Sequence, residues 1–119
     1  MTGYNRTVGM HGEDEAALFF LSRGFEIVAR NFRFGRHGEI DLIARKDGLL
    51  VFVEVKTRSS DRYGGALYSI NRRKAGTIRA AALSFLSQNS NFNKPEFTCR
   101  FDLLAVEDGN LVWHQDVIR

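Results

Sequence analysis

Two runs of strand-forming residues, Glu39 to Arg45 and Leu49 to Thr57, meet at Asp47-Gly48, and this junction constrains the fold more than any other stretch of the chain. Asp-Gly between two such runs signals a two-residue hairpin, so the strands are expected to be antiparallel neighbours. With Asp47-Gly48 as the turn, Lys46 faces Leu49, and counting back along both strands sets Asp41 opposite Glu54 and Glu39 opposite Lys56. The second strand has the apolar composition of a central strand in Val51-Phe52-Val53 and Val55, yet Glu54 and Lys56 are set into it. Period-two alternation predicts all four ionisable residues on one face. Directly opposed residues have Cβ atoms about 5 Å apart, where two carboxylates destabilise a sheet unless something offsets them. A divalent cation is the simplest offset. Mg²⁺ takes oxygen ligands, commonly one or two carboxylates completed by water and phosphate, so Asp41 and Glu54 are candidate metal ligands. The competing reading is an ordinary cross-strand salt-bridge face made with Lys56 and neighbouring arginines.

The remaining elements follow from periodicity. A helix is expected from about Gly9 to Arg23, with Ala16, Ala17, Phe20 and Leu21 as its buried stripe and Gly24 as its stop. Glu13 lies on that same stripe, so its carboxylate is directed toward the sheet; the alternative is that it serves only the positive end of the helix dipole. Phe25 to Asn31 alternates as a strand, and a polar loop with Gly35 and Gly38 leads to the hairpin. Arg58 to Gly65 reads as a loop into a second helix, about Ile70 to Gln88, with Ile78, Ala81, Ala82 and Phe85 as its apolar stripe. After a turn-forming linker, Asn89 to Pro95, come a strand from Phe97 to Val106 and a short last one around Leu111 to His114. The expected class is α/β, in the order α-β-β-β-α-β-β, with a mixed central sheet flanked by helices. A length of 119 residues suits one core and not two, so residues 1–119 are read as a single domain whose residues 1–8 form a flexible N-terminus.

Several function classes drop out. The longest apolar run is about five residues against the ~20 needed to cross a bilayer, and Met1 to Gly12 lack the apolar core of a signal peptide. A cytoplasmic protein with no membrane contact is expected. The single cysteine, Cys99, allows neither an internal disulfide nor a Cys-based zinc site, and its alternation with Phe97 and Phe101 predicts a buried small hydrophobe. His11, His37 and His114 are too scattered to define a zinc site, and the glycines match no phosphate-binding fingerprint. The net charge of +3 is compatible with nucleic-acid binding, and its distribution says more: Arg58, Arg62, Arg72, Arg73 and Lys74 surround the central connection, and Arg33, Arg36 and His37 form a second cationic stretch. Phe32, Phe34 and Tyr63 lie among these basic residues, where they either stack on unpaired bases or cap the core. Arg100 and Asp102 share a strand face and are expected to pair, with Trp113 as a packing residue.

Gly38-Glu39-Ile40-Asp41-Leu42-Ile43-Ala44 and Val51-Phe52-Val53-Glu54-Val55-Lys56-Thr57-Arg58 together resemble the core of the YraN-like family. These are uncharacterised bacterial proteins described as predicted endonucleases, similar to archaeal Holliday junction resolvases within the PD-(D/E)XK nuclease superfamily. The resemblance extends to Gly12-Glu13, to Lys74 at the opening of the second helix and to Arg100-Phe101-Asp102, so it spans most of the chain. It implies a restriction-endonuclease-like core in which Asp41 and Glu54 bind Mg²⁺ or Mn²⁺, Glu13 completes the acidic site, and Lys56 orients or activates water. The implied activity is metal-dependent hydrolysis of DNA, on branched or recombination and repair structures, and analogy with resolvases implies a homodimer. Arg58, Arg62, Arg72, Arg73 and Lys74 would then hold flanking phosphates. Two readings compete: a nucleic-acid-binding module that keeps the fold without cleaving, and an interaction domain with a charged sheet face.

Overall fold

The hairpin register read from Asp47-Gly48 is the one the protein adopts. In the computed structural model, β2 (Gly38–Lys46) and β3 (Leu49–Arg58) pair antiparallel with Lys46 opposite Leu49 and Leu42 opposite Val53. Asp47 turns the chain with a φ of 54°. Glycine is required next to it because a Cβ at Gly48 would lie 2.8 Å from the Glu96 carbonyl oxygen. The Gly48 carbonyl in turn accepts the Thr98 amide at 2.8 Å, which ties the turn to the start of a later strand. The structure describes residues 8–36, 38–58, 70–107 and 110–118, and the backbone alone at 8–11 and 58.

The other elements are α1 (Val8–Ser22), β1 (Glu26–Phe34), α2 (Arg72–Gln88), β4 (Thr98–Glu107) and β5 (Asn110–His114), in the expected order. Val8 opens α1, and the rest of the expected flexible N-terminus lies outside the described residues. β1 runs past Asn31 because its pairing with β2 continues to Phe34 opposite Gly38. α2 begins at Arg72 because Asn71 caps it, its side chain accepting the Lys74 amide at 2.8 Å. The sheet order is β1-β2-β3-β4-β5, and only β3 and β4 are parallel, joined through α2. This is the mixed sheet of a restriction-endonuclease-like α/β core. Among the described residues, no helix is long and apolar enough to cross a membrane.

Each helix buries one stripe against one face of the sheet. Ala16, Ala17 and Phe20 of α1 pack on Leu42, Ala44, Val51 and Val53. Phe20 also meets Phe25 and Trp113 edge to face, with ring centroids 5.2 and 5.4 Å away. On the opposite face Ile78, Ala81, Ala82 and Phe85 of α2 pack on Ile40, Ile43, Leu50 and Phe52. Two expectations need correction. Leu21 is not part of the α1 stripe but 51% exposed, because Ala17 and Phe20 take the contact and leave Leu21 and Leu18 on the flank. Cys99 is exposed instead of buried. It shares a face with Phe101 as the alternation predicts, but that face opens into an uncovered groove of 240 Å³ with Phe52, Ala82, Leu83 and Leu86.

One buried polar node secures the later strands. Asp102 is 1% exposed and accepts four hydrogen bonds: from Arg100 Nε at 2.9 Å and Nη2 at 2.8 Å, from Trp113 Nε1 at 2.8 Å, and from the Asp116 amide at 2.9 Å. The expected Arg100–Asp102 pair is present, and Trp113 combines packing with a donor. The Val117 amide then bonds the Phe101 carbonyl at 2.8 Å, which carries Ile118 into the core beside α2. Asp102→Ala leaves a partly buried guanidinium, an indole donor and the Asp116 amide without their acceptor, and a loss of about 3 kcal/mol is expected in urea unfolding. Trp113→Phe, which removes the donor and shrinks the ring packed on Phe20 and Phe25, should cost about 1 kcal/mol for the bond and more for the space left behind.

Candidate functional site

The hairpin strands part where the ionisable residues begin. β2 and β3 are paired only as far as Leu42 opposite Val53. Beyond that point β3 stays with β4 as far as Arg58 opposite Glu107, while β2 stays with β1 as far as Gly38 opposite Phe34. Continuing the β2–β3 ladder would hand the Val55 amide to the Ile40 carbonyl. Instead Asp41 Oδ2 accepts it, at 2.8 Å. The carboxylate thus sits between the diverging strands.

This placement corrects the expectation that all four residues share one face. Ile40 and Ile43 both pack on the α2 side, whereas Leu42 and Ala44 pack on the α1 side, so the alternation of β2 slips by one at Asp41. Across from it on β1 lies Asn31, between the pairs Arg30–Leu42 and Phe32–Ile40, with a φ of 54°. Glu54 and Lys56 keep the alternation of β3 and follow Leu50 and Phe52 onto the α2 side. Glu13 of α1 is near enough for its charge to act on Asp41. There α1 seats directly on β3, a Cβ at Gly12 coming 2.9 Å from Thr57 Oγ1.

Crowded, half-desolvated carboxylates raise one another's proton affinity. Burial first, then the charges of Glu54, Glu13 and Glu39, push the Asp41 pKa up to about 7, against the pull of the Val55 hydrogen bond. Glu54, 7% exposed, is also raised, chiefly by burial and further by Glu39. Part of that burial comes from apolar walls: Ile40, Phe52, Ile70, Ile78 and Ile118 close a cavity of only 10 Å³ beside Glu39 and Glu54. The opposing, stabilising charge on Glu54 comes mainly from Lys74 and less from Lys56.

Lys74 is the residue whose place in the site the sequence reading missed. Its Nζ lies 3.3 Å from Glu54 Oε2, making a salt bridge with a nearly buried partner. A signal was present: Lys74 precedes Ile78 by four residues and Ala81 by seven, which puts it on the buried stripe of α2. Arg72 and Arg73 on the same turn are exposed, as a phosphate-binding role requires. Arg58 is the last residue of β3, described by its backbone alone, and Arg62 lies outside the described residues. Of the other candidates, Phe32 packs edge-on against Phe85 at 5.3 Å, Phe34 is 47% exposed, and His114 pairs with Glu107 at 3.4 Å. Tyr63 and His37, like the side chain of His11, lie outside the described residues.

The donor set suits a hard cation held by few protein ligands. Oδ1 of Asp41 and Oε1 of Glu54 have no partner among the described residues. No group of three or more His, Cys, Asp or Glu side chains among those residues is close enough to hold a metal by itself. Two carboxylates with the remaining positions left to water and phosphate is the usual arrangement for Mg²⁺.

A mixed sheet of this order, opened at its central hairpin onto an acidic pair with a lysine two residues on, defines a restriction-endonuclease-like α/β protein. Comparison with known sequences narrows this to a family. The chain belongs to the uncharacterised protein family UPF0102, whose model matches residues 12–106, and the YraN-like resemblance holds. The UPF0102 protein of Burkholderia pseudomallei strain 1710b is 44% identical over 118 residues, which cover 98% of this chain and 78% of the relative. That of Burkholderia mallei strain NCTC 10229 is 45% identical over the same length and shares, and that of Burkholderia vietnamiensis strain G4 is 43% identical over 116 residues, 97% of this chain and 78% of the relative.

The proton affinity of the acidic pair should be visible in stability without metal. Folded Asp41 keeps its proton up to about 7, whereas the unfolded chain loses it near 3.8, so the folded state binds more protons in between. Stability therefore falls as pH rises through that window, and raised Glu54 acts in the same direction. Urea unfolding in the presence of a chelator, on either side of and across this window, should show that slope. Asp41→Asn should flatten it and be the more stable protein above pH 7.

Proposed function

We propose that this protein is a metal-dependent endonuclease that hydrolyses DNA phosphodiester bonds, on the branched structures of recombination and repair to which its family resemblance points. The observation that supports this most is the parting of β2 and β3 around Asp41 and Glu54, each of which keeps one oxygen without a partner among the described residues. Asp41 and Glu54 would hold Mg²⁺ or Mn²⁺. When bound, the ion would lower the pKa of water, polarise the scissile phosphate and offset charge on the departing oxygen. Glu13, near enough for its charge to act on Asp41, contributes negative charge and a hydrogen-bond acceptor for water. Lys56 presents its ammonium beside the same phosphate, where a fixed positive charge favours the more anionic transition state. Arg72 and Arg73, with Arg58 at the end of β3 and Arg62 after it in sequence, would grip flanking phosphates without reading sequence. Cutting both strands of a symmetrical substrate calls for two such sites and hence for a second copy of the chain. A protein of this kind would act in the cytoplasm, where bacterial DNA is.

One observation favours the non-cleaving alternative: among the described residues, Glu13, Asp41 and Glu54 are not gathered closely enough to enclose a metal unaided. Cleavage assays decide between the two. Linear, single-stranded, flapped and four-way DNA should be incubated with Mg²⁺ or Mn²⁺ and wild-type protein, Asp41→Ala or Lys56→Ala. Cutting by the wild type that falls by roughly 10²- to 10³-fold or more in both variants is expected. Binding without cutting in every metal would establish the binding module instead. Binding itself should weaken steeply with added salt, because displaced counterions drive it.

A further inference from the structure

We infer that Lys74 is a resident cation of the acidic cleft, holding Glu54 until a divalent ion takes that carboxylate and then turning to substrate phosphate. The inference rests on the metal-binding reading above and adds a residue whose work precedes and follows metal entry. Its position is built into the fold at three levels. Asn71 caps α2 through the Lys74 amide, which fixes the helix start at this residue. The helical repeat places Lys74 one turn before Ile78, on the stripe that faces the sheet. Its ammonium then lies 3.3 Å from Glu54 Oε2, with side-chain exposures of 35% for the lysine and 8% for the glutamate.

Those exposures define what each partner can do. Glu54 has almost no access to water, so an unpaired carboxylate there is costly and some cation must attend it. Lys74 is one-third exposed on a flexible four-carbon stem, so its head can leave the pair by side-chain rotation. A divalent ion held by Glu54 would compete with the ammonium for the same carboxylate, and two positive charges drawn to one nearly buried anion repel each other. The direction of release is set by neighbours: Arg72 and Arg73 are exposed on the same turn, at the end of α2 whose dipole favours anions. Metal binding thereby takes a cation from Glu54 and adds one to the surface that meets phosphate. Lys56 does not duplicate this role, since its charge acts on Glu54 less than that of Lys74.

The test is calorimetric titration of Mn²⁺ into chelator-treated, dialysed full-length protein, with Lys74→Met, Lys74→Arg and Arg73→Met compared with wild type. Circular dichroism verifies that each is folded, and Lys74→Gln replaces Lys74→Met if the latter is not. Loss of the competing ammonium should tighten Mn²⁺ binding by roughly tenfold. Lys74→Arg should stay near wild type. Arg73→Met removes an equal charge from the same turn but at an exposed position screened by solvent, and should change affinity by no more than about twofold. Equal or weaker binding by the Lys74→Met protein overturns the inference, as does an equal gain in Arg73→Met, which would reduce the effect to net charge. Absence of Mn²⁺ binding in all four proteins overturns the metal reading of the cleft and this inference with it.

Discussion

Beyond Leu42 and Val53 the amide of Val55 is received by a carboxylate and not by a carbonyl, and the shape of the cleft depends on that exchange. A backbone acceptor would have kept β2 and β3 zipped and would have pressed Asp41 and Glu54 against each other on a continuous sheet. The side-chain acceptor lets the strands separate while the Val55 amide keeps a partner. Asn31 in the left-handed region on β1 and the slip in alternation at Asp41 are the neighbouring backbone's accommodation of the same event. The two clusters of packed side chains, one under each helix, then hold the separated strands in place.

The cleft is electrostatically unfinished. The charges of Glu13, Glu39 and Glu54 all bear on Asp41, and the attending positive charges among the described residues are Lys74, Lys56 and Arg33, the last 4.0 Å from Glu39. A protein under selection for stability alone would replace such a group with apolar residues, as the interior does at Val51, Phe52 and Val53. Asp102 shows the contrast. It is more deeply buried than either cleft acid, yet four donors satisfy it, and it secures the structure around residues 100–118. Two buried carboxylates, Asp102 and Glu54, thus do opposite jobs: one is saturated by the protein, the other keeps an oxygen with no partner among the described residues.

The fold was largely legible because its strongest signals are local. Asp47-Gly48 set the hairpin register, and the helical stripes of α1 and α2 and the chain order of strands followed from periodicity. The Arg100–Asp102 pair was legible too, since two residues apart on a strand share a face. What the sequence concealed depends on tertiary cover or on backbone irregularity. Cys99 alternates correctly but lies under an open groove, and Leu21 lies a fraction of a turn off the contact line. Asp41 leaves the common face because the strands part, an event that no count of residues encodes. Lys74 could have been placed by its spacing from Ile78 and Ala81, but its cluster with Arg72 and Arg73 invited a reading as one more phosphate contact.

The acid pair and its counter-charge lie at different distances along the chain, and this orders events during folding. Asp41 and Glu54 belong to a single hairpin, which can zip from its turn as far as Leu42 and Val53 using contacts that are near in sequence. The ammonium of Lys74 comes from α2, outside the hairpin, and its arrival requires the chain between Glu54 and Lys74 to close on itself over a longer span. Within the hairpin Lys56 gives Glu54 only the weaker of its two counter-charges, so the mouth meets much of its own repulsion before the stronger relief from Lys74, and a nascent hairpin has an electrostatic reason to stay open at the end where the mature protein is open as well.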